Sequence, residues 1–146
     1  MLMIHLAATV LALQAAKAAP PAAAAVAATD VAVAISYTGK GTVDANHKVL
    51  AWLFADPNVT SNSRPVGAAQ SLDKKTGTIT FKNAPSTPVY IFTCYDEKGG
   101  YDGVSGPPPP GIPCTIYKKT AAGAATPVKA GGPVVKFAFG DSDRWK

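Results

Sequence analysis

The chain has 146 residues, a formal net charge of +5 at pH 7 and a charged fraction of 16%, which suits one domain and is too short for two. Hydrophobic residues make up 47% of it, and this composition excludes a coiled coil and a wholly disordered chain. An integral membrane protein is also excluded, because the N-terminal apolar run is shorter than the roughly 20 residues that span a bilayer.

The N-terminus predicts an export signal. Residues 6–16 are apolar and lead into Ala16-Lys17-Ala18, an A-x-A-like cleavage site. We predict a signal peptide over 1–18, although its first residues lack Lys and Arg; an uncleaved anchor helix is the alternative. The Ala/Pro-rich residues 19–29 predict a flexible tether, followed by a folded domain over 30–146. The mature protein is expected to be periplasmic or secreted, with no membrane segment left after cleavage.

The mature chain is dominated by strand patterns. Large side chains on alternate residues predict a strand over 31–37, and an apolar run with Trp52 and Phe54 predicts a second strand over 48–55. Asp44-Ala45-Asn46-His47 is typical of the turn between them. The further predicted strands cover 65–72, 78–82, 88–95, 114–118 and 134–139.

No segment of the domain shows a helical period with caps, so we predict an all-β fold, a single antiparallel β-sandwich of about seven strands. Proline is confined to strand ends and loops, as a sheet requires. Seven aromatic residues are expected to seed the core: Trp52, Phe54, Phe81, Phe92, Tyr95, Phe137 and Phe139.

Cys94 and Cys114 are the two cysteines of the chain. An even count in an exported protein predicts a disulfide, and closing a loop of this length stabilises a fold by about 3 kcal/mol in the chain-entropy description. Two separate buried thiols are the alternative. A metal or redox centre is not expected, because no C-x-x-C motif is present.

Several motifs resemble those of carboxypeptidase regulatory-like domains, which are prealbumin-like (transthyretin-like) β-sandwiches of exported bacterial proteins. The similar segments are residues 41–44, 48–51, 76–81, 88–91 and 96–100. The resemblance extends roughly from Tyr37 to Phe139 and implies a small accessory or binding domain without its own active site. Members are usually attached to a larger catalytic or outer-membrane domain. Because a single domain fills this chain, we expect it to act alone or to dock onto a separately encoded partner.

Enzymatic chemistry finds little support in the sequence. The hydroxyisourate hydrolase that shares this broad fold depends on several histidines and a C-terminal Tyr-Arg-Gly-Ser motif, whereas this domain has only His47, in a predicted turn, and ends differently. No serine lies in a G-x-S-x-G elbow, and one histidine with two cysteines is a poor metal-ligand set. We therefore predict no enzyme, no metal and no cofactor; catalysis through His47 is the least favoured alternative.

Residues 96–102 form the most site-like segment, with carboxylates that could bind calcium. The simpler interpretation is a hairpin turn, because Lys98 and Gly100 stand where an EF-hand loop has oxygen ligands. Nucleic-acid binding is not expected either, since the basic residues are scattered rather than clustered.

A binding surface is predicted around the proline run at 107–110. Tyr95, Tyr101, Pro108 and Tyr117 would form it, because tyrosines supply amphipathic contact area and prolines keep a loop stiff. We predict an exported, non-enzymatic accessory module of the cell envelope that binds an envelope protein there. A small-ligand or carbohydrate binder that stacks a glycan on an exposed Trp or Tyr is the alternative, and a loop that merely protects an edge strand is the simplest interpretation.

Overall fold

The computed structural model describes residues 26–85, 88–120 and 122–146. The predicted signal peptide over 1–18 and residues 19–25 of the predicted tether lie outside these ranges. Asp30 is the first buried residue, and its carboxylate accepts a hydrogen bond of 2.6 Å from Nζ of Lys82. This ion pair joins the start of the first strand to the end of the fourth.

Seven strands make up the regular structure of these ranges, which contain no helix. In chain order they are β1 (Val31–Tyr37), β2 (Val49–Phe54), β3 (Gln70–Leu72), β4 (Thr76–Phe81), β5 (Tyr90–Tyr95), β6 (Cys114–Ile116) and β7 (Val135–Phe139). One sheet has the order β4-β1-β7 and the other the order β3-β2-β5-β6. The predicted all-β, sandwich-like fold of about seven strands is confirmed.

The prediction of antiparallel pairing is confirmed for four strand pairs and wrong for the fifth. Strands β1 and β7 run parallel, with Val33 opposite Val135 and Tyr37 opposite Phe139. Parallel neighbours need a long connection, and here the five other strands lie between them in the chain. Side chains alternate in the same way in both kinds of pairing, so the sequence pattern does not distinguish them.

The two sheets pack around a core of alternating side chains. Strand β1 contributes Val31, Val33, Ile35 and Tyr37, all on the face toward the other sheet. The Tyr37 ring stacks on Tyr95 of β5 at a centroid distance of 4.4 Å. Burial of these apolar and aromatic side chains supplies the main stabilisation of the fold.

The four-stranded sheet is buried on both faces. All six residues of β2 are buried, so Leu50, Trp52 and Phe54 point away from the other sheet and form a second cluster with Phe92. An antiparallel sheet commonly leaves such a face to solvent. Here, loops and the C-terminal residues cover it, and the candidate site lies in this cover.

The strand predicted over 65–72 is much shorter than expected, because only Gln70–Leu72 pairs with β2. Gly67 has a φ of +102°, which breaks the extended conformation, and Pro65 has no N–H to donate. The residues before β3 form a loop whose Val66 N–H donates to the carbonyl of Leu53 (2.7 Å). This loop becomes one wall of the site.

Within the described ranges, no helix has the length and the apolar character required to cross a membrane.

Candidate functional site

The segment after β5 is held over the outer face of the four-stranded sheet by a buried carboxylate. Asp96 is fully buried, and its two oxygens accept hydrogen bonds from the backbone N–H groups of Gly99 (3.0 Å) and Tyr101 (2.7 Å). Buried carboxylates need such partners. Asp96 therefore fixes the chain that carries Tyr101.

A second tight turn follows at Asp102. Its carboxylate accepts hydrogen bonds from the Ser105 hydroxyl (2.5 Å) and from the N–H groups of Val104 and Ser105 (both 2.9 Å). These donors lower the pKa of Asp102 to about 2. All four oxygens of Asp96 and Asp102 thus accept from their own loop, which fits the turn interpretation of 96–102 rather than calcium binding. The described part of the chain contains no group of three or more His, Cys, Asp or Glu side chains that could hold a metal.

Two further hydrogen bonds fasten this loop to the sheet and to itself. Trp52 Nε1 donates to the carbonyl of Gly103 at 2.9 Å, and the Tyr101 hydroxyl donates to the carbonyl of Gly106 at 2.7 Å. Burial, followed by the charges of Asp102 and Asp96, raises the pKa of Tyr101 to about 12. The Tyr101 phenol is therefore neutral at physiological pH.

The predicted disulfide is confirmed. Cys94 and Cys114 lie directly opposite each other on β5 and β6, and their sulfur atoms are bonded at 2.08 Å. Both residues are buried in the outer cluster. The bond closes the base of the segment that contains the proline run, as expected from the sequence.

The C-terminal residues complete the cover by pairing with the edge of β6. Just before β6, the Trp145 N–H donates to the carbonyl of Ile112 (3.0 Å), and the Gly111 N–H donates to the carbonyl of Trp145 (2.9 Å). The Cys114 N–H also donates to the carbonyl of Asp143 at 3.0 Å. The Trp145 ring is thereby placed against Phe92, at a centroid distance of 5.5 Å.

A pocket of about 250 Å³ opens between these elements. Four aromatic rings form a continuous row in it: Tyr101 is 6.2 Å from Trp52, Trp52 is 6.0 Å from Phe92, and Phe92 is 5.5 Å from Trp145. Trp52 and Phe92 are buried and form the floor, whereas Tyr101 and Trp145 are half-buried and flank the opening. We call this site the aromatic pocket.

The rim of the aromatic pocket is polar on the side of the loop before β3. Thr60, Ser61 and Ser63 bring hydroxyl groups to it, and Arg64 brings a guanidinium. The opposite rim carries Val104, Pro107 and Pro108. An aromatic floor with a few polar groups at the rim is the usual construction of a small-molecule site.

A larger depression of about 440 Å³ lies on the outer face of the three-stranded sheet. Small side chains, including Ala34, Ser36 and Thr78, supply most of its surface. It is shallow and carries only one charged residue, Lys136. It therefore offers a ligand few directional contacts.

Two of the four predicted site residues, Tyr101 and Pro108, line the aromatic pocket. The other two do not: Tyr95 and Tyr117 belong to the core between the sheets, where Tyr117 packs against Phe137 at 5.4 Å. Strand alternation separates these two residues from Tyr101 and Pro108. Side chains next to Cys94 in sequence point to the opposite face of the sheet.

The sequence indicated Trp52, Phe54 and Phe92 as core residues, and neither Arg64 nor Trp145 was among the predicted site residues. A signal for the first three was present, because β2 is apolar at every position and therefore needs a cover on both faces. The position of Trp145 depends on pairing between the chain end and β6, which no local pattern indicates.

His47 lies in a turn, as predicted. Its Nδ1 is 3.0 Å from Oδ1 of Asp44, which also accepts the His47 backbone N–H at 2.8 Å. These contacts, together with the N–H of Asn46, lower the pKa of Asp44. His47 does not line the aromatic pocket.

Comparisons of the chain with protein families, with curated proteins and with solved structures find no match. The resemblance to carboxypeptidase regulatory-like domains therefore stays a prediction.

Proposed function

We propose that the protein is an exported, non-enzymatic binding module of the cell envelope, and that the aromatic pocket binds one sugar ring. The observation that carries this proposal is the row of four rings, which has half-buried Tyr101 and Trp145 at its two ends. Sugars present C–H faces that pack against aromatic rings and hydroxyl edges that form hydrogen bonds. The hydroxyl groups at the rim are placed to meet those edges.

The size of the pocket supports a small ligand group. Its volume of about 250 Å³ is below the range of roughly 300–1,000 Å³ typical of sites for drug-sized molecules. A single ring of a longer glycan fits this scale better than a large cofactor. The remaining sugar units would extend across the rim.

The chemistry of the lining supports binding without catalysis. Among the described residues, neither histidine nor a carboxylate lines the aromatic pocket, so its serine and threonine hydroxyls have no adjacent base there to activate them. The Cys94–Cys114 disulfide supports an address outside the cytoplasm, in agreement with the predicted signal peptide. The two-sheet sandwich is compatible with the carboxypeptidase regulatory-like assignment, which we keep as part of the proposal.

Tryptophan fluorescence tests the proposal directly, because Trp52 and Trp145 are the two tryptophans of the chain and both line the pocket. Titration with a panel of glycans is expected to change the emission, and Trp145→Ala and Tyr101→Ala should weaken binding at least tenfold. Tyr117→Ala is the matched control, because it removes an aromatic ring from the other face of the sheet. Unaltered affinity in both pocket variants would contradict the proposal.

A protein partner is the second candidate, and one observation favours it. Val104 is 72% exposed and lines the pocket together with Pro107 and Pro108, and contiguous apolar surface, unlike single apolar side chains, marks contact sites. Mild crosslinking in the host envelope, followed by capture of the tagged protein, would then recover a stoichiometric partner. Val104→Asp should abolish that capture; retained capture would exclude this surface.

A further inference from the structure

The lining of the aromatic pocket carries charge of one sign only. Arg64 is the single charged residue among the described residues that line it, and no carboxylate accompanies it. The whole chain also has an excess of positive charge, +5 at pH 7, which raises the local concentration of anions. The pocket therefore favours a ligand with a negative group near its rim.

Arg64 has no acidic partner among the residues that the structure describes. The ion pairs found in the described ranges join other residues, and none of them includes Arg64. Its side chain is exposed at the rim, so the guanidinium keeps its donors for a ligand. A guanidinium matches the planar geometry of a carboxylate with two parallel hydrogen bonds.

The backbone that carries Arg64 is fixed on both sides. Before it, the Thr60 N–H donates to Oγ of Ser63 (2.9 Å), and the Ser63 N–H donates to the carbonyl of Thr60 (3.0 Å). After it, Pro65 restricts the chain and Val66 is bonded to the end of β2. Less conformational entropy is lost on binding when the loop is already held in place.

The carboxylate nearest in sequence to the pocket lining does not compensate this charge. Asp102 lies between Tyr101 and Gly103, both of which line the pocket, but its own side chain is not part of the lining. Its oxygens accept three hydrogen bonds from Val104 and Ser105. The Asp102 carboxylate therefore stabilises its own turn and does not pair with Arg64.

We propose that the aromatic pocket selects an anionic sugar, a hexuronate, and that Arg64 binds its carboxylate while the ring packs against Tyr101 or Trp145. This inference rests on the proposed function and names its ligand class. The hydroxyl groups of Thr60, Ser61 and Ser63 lie on the same rim as Arg64. The Ser61 hydroxyl makes no hydrogen bond within the described ranges and is available to a ring hydroxyl beside the carboxylate, whereas the Thr60 and Ser63 hydroxyls also bond within their own loop.

The test compares pairs of methyl glycosides that differ only in a carboxylate or a hydroxymethyl group, in the gluco, galacto and manno configurations. Tryptophan fluorescence of the exported protein measures each affinity. At least one hexuronide should bind about fivefold more tightly than its neutral counterpart, since exposed charge pairs contribute modestly. The preference should weaken as salt is raised.

Arg64→Gln should abolish this preference, because it should lower the affinity for the hexuronide about fivefold more than the affinity for its neutral counterpart. Lys74→Gln is the control, because it removes the same charge from the exposed turn before β4, outside the pocket lining. Equal binding of both members of every pair, or a preference that survives Arg64→Gln, would overturn the inference while the proposed function stands. If no glycoside of either kind alters the emission, both are wrong.

Discussion

Gly103 offers a sharp test of how the loop sits on the floor of the aromatic pocket. Its φ is +79°, and a Cβ atom there would lie 3.0 Å from the side chains of Ala69 and Leu50 and 3.2 Å from Trp52. Gly103→Ala therefore combines two penalties. One is the left-handed backbone, at about 1–2 kcal/mol, and the other is overpacking, at about 1–3 kcal/mol.

Gly100→Ala separates the two penalties. Gly100 has nearly the same φ, +84°, but a Cβ atom there would meet nothing within 4 Å. Each substitution also lowers the conformational entropy of the unfolded chain, which stabilises the fold by the same amount in both variants. This contribution therefore cancels when their free energies of unfolding are compared. Gly103→Ala should thus be less stable than Gly100→Ala by about 1–3 kcal/mol, which is the overpacking contribution alone.

Urea unfolding followed by tryptophan fluorescence measures the two free energies of unfolding. Trp52 reports directly, because its Nε1 donates to the carbonyl of Gly103, and its emission in the folded state should change in Gly103→Ala alone. Equal stability of the two variants would refute the close approach of Gly103 to the sheet. The description of the pocket floor would then be wrong.

Three further predictions concern the cover of the outer face. Reducing the Cys94–Cys114 disulfide, with its sequence separation of 20, should lower the free energy of unfolding by about 3 kcal/mol; an unchanged urea midpoint in reductant would contradict this. Tyr101, with a pKa of about 12 against an ordinary 10.0, should stabilise the fold fully below pH 10 and lose that contribution as pH rises toward 12. The phenolate absorbance of the wild type minus that of Tyr101→Phe should therefore show a step near pH 12, and a step near the ordinary value would refute the burial argument. Trp145→Ala should lower the free energy of unfolding by about 2 kcal/mol, roughly half the value for a fully buried aromatic ring. Trp145→Phe should retain most of the stability, because a ring still packs on Phe92. Equal losses for the two variants in thermal or urea unfolding would show that this packing is not the cause.

Local patterns were sufficient to locate the strands, although β3 is much shorter than its pattern predicts. The alternation in Val31–Tyr37 and the apolar run in Val49–Phe54 specify strands because each needs a buried face. The disulfide was predictable as well, from an even cysteine count. The parallel pairing of β1 with β7 was not, because direction depends on how distant strands meet.

The sequence predicted only part of the aromatic pocket. Tyr101 and Pro108 were identified because turn and proline chemistry is local, and the structure brings them together at the pocket. Tyr95 and Tyr117 lie on the other face of the sheet because side chains alternate along a strand, and for Tyr95 this agrees with its expected place in the core. Arg64 and Trp145 come from distant segments, and only tertiary packing brings them to the same pocket.

The most direct test of the central claim is an NMR titration of the protein with methyl hexosides and hexuronides. The indole N–H signals of Trp52 and Trp145 are the two of their kind in the chain, and both residues line the pocket. The account predicts that both signals shift together, at saturable ligand concentrations, with the Arg64 side-chain signal affected most by hexuronides. Shifts confined to residues outside the pocket, such as His47 and Tyr117, or no shift at all, would contradict a sugar site in the aromatic pocket.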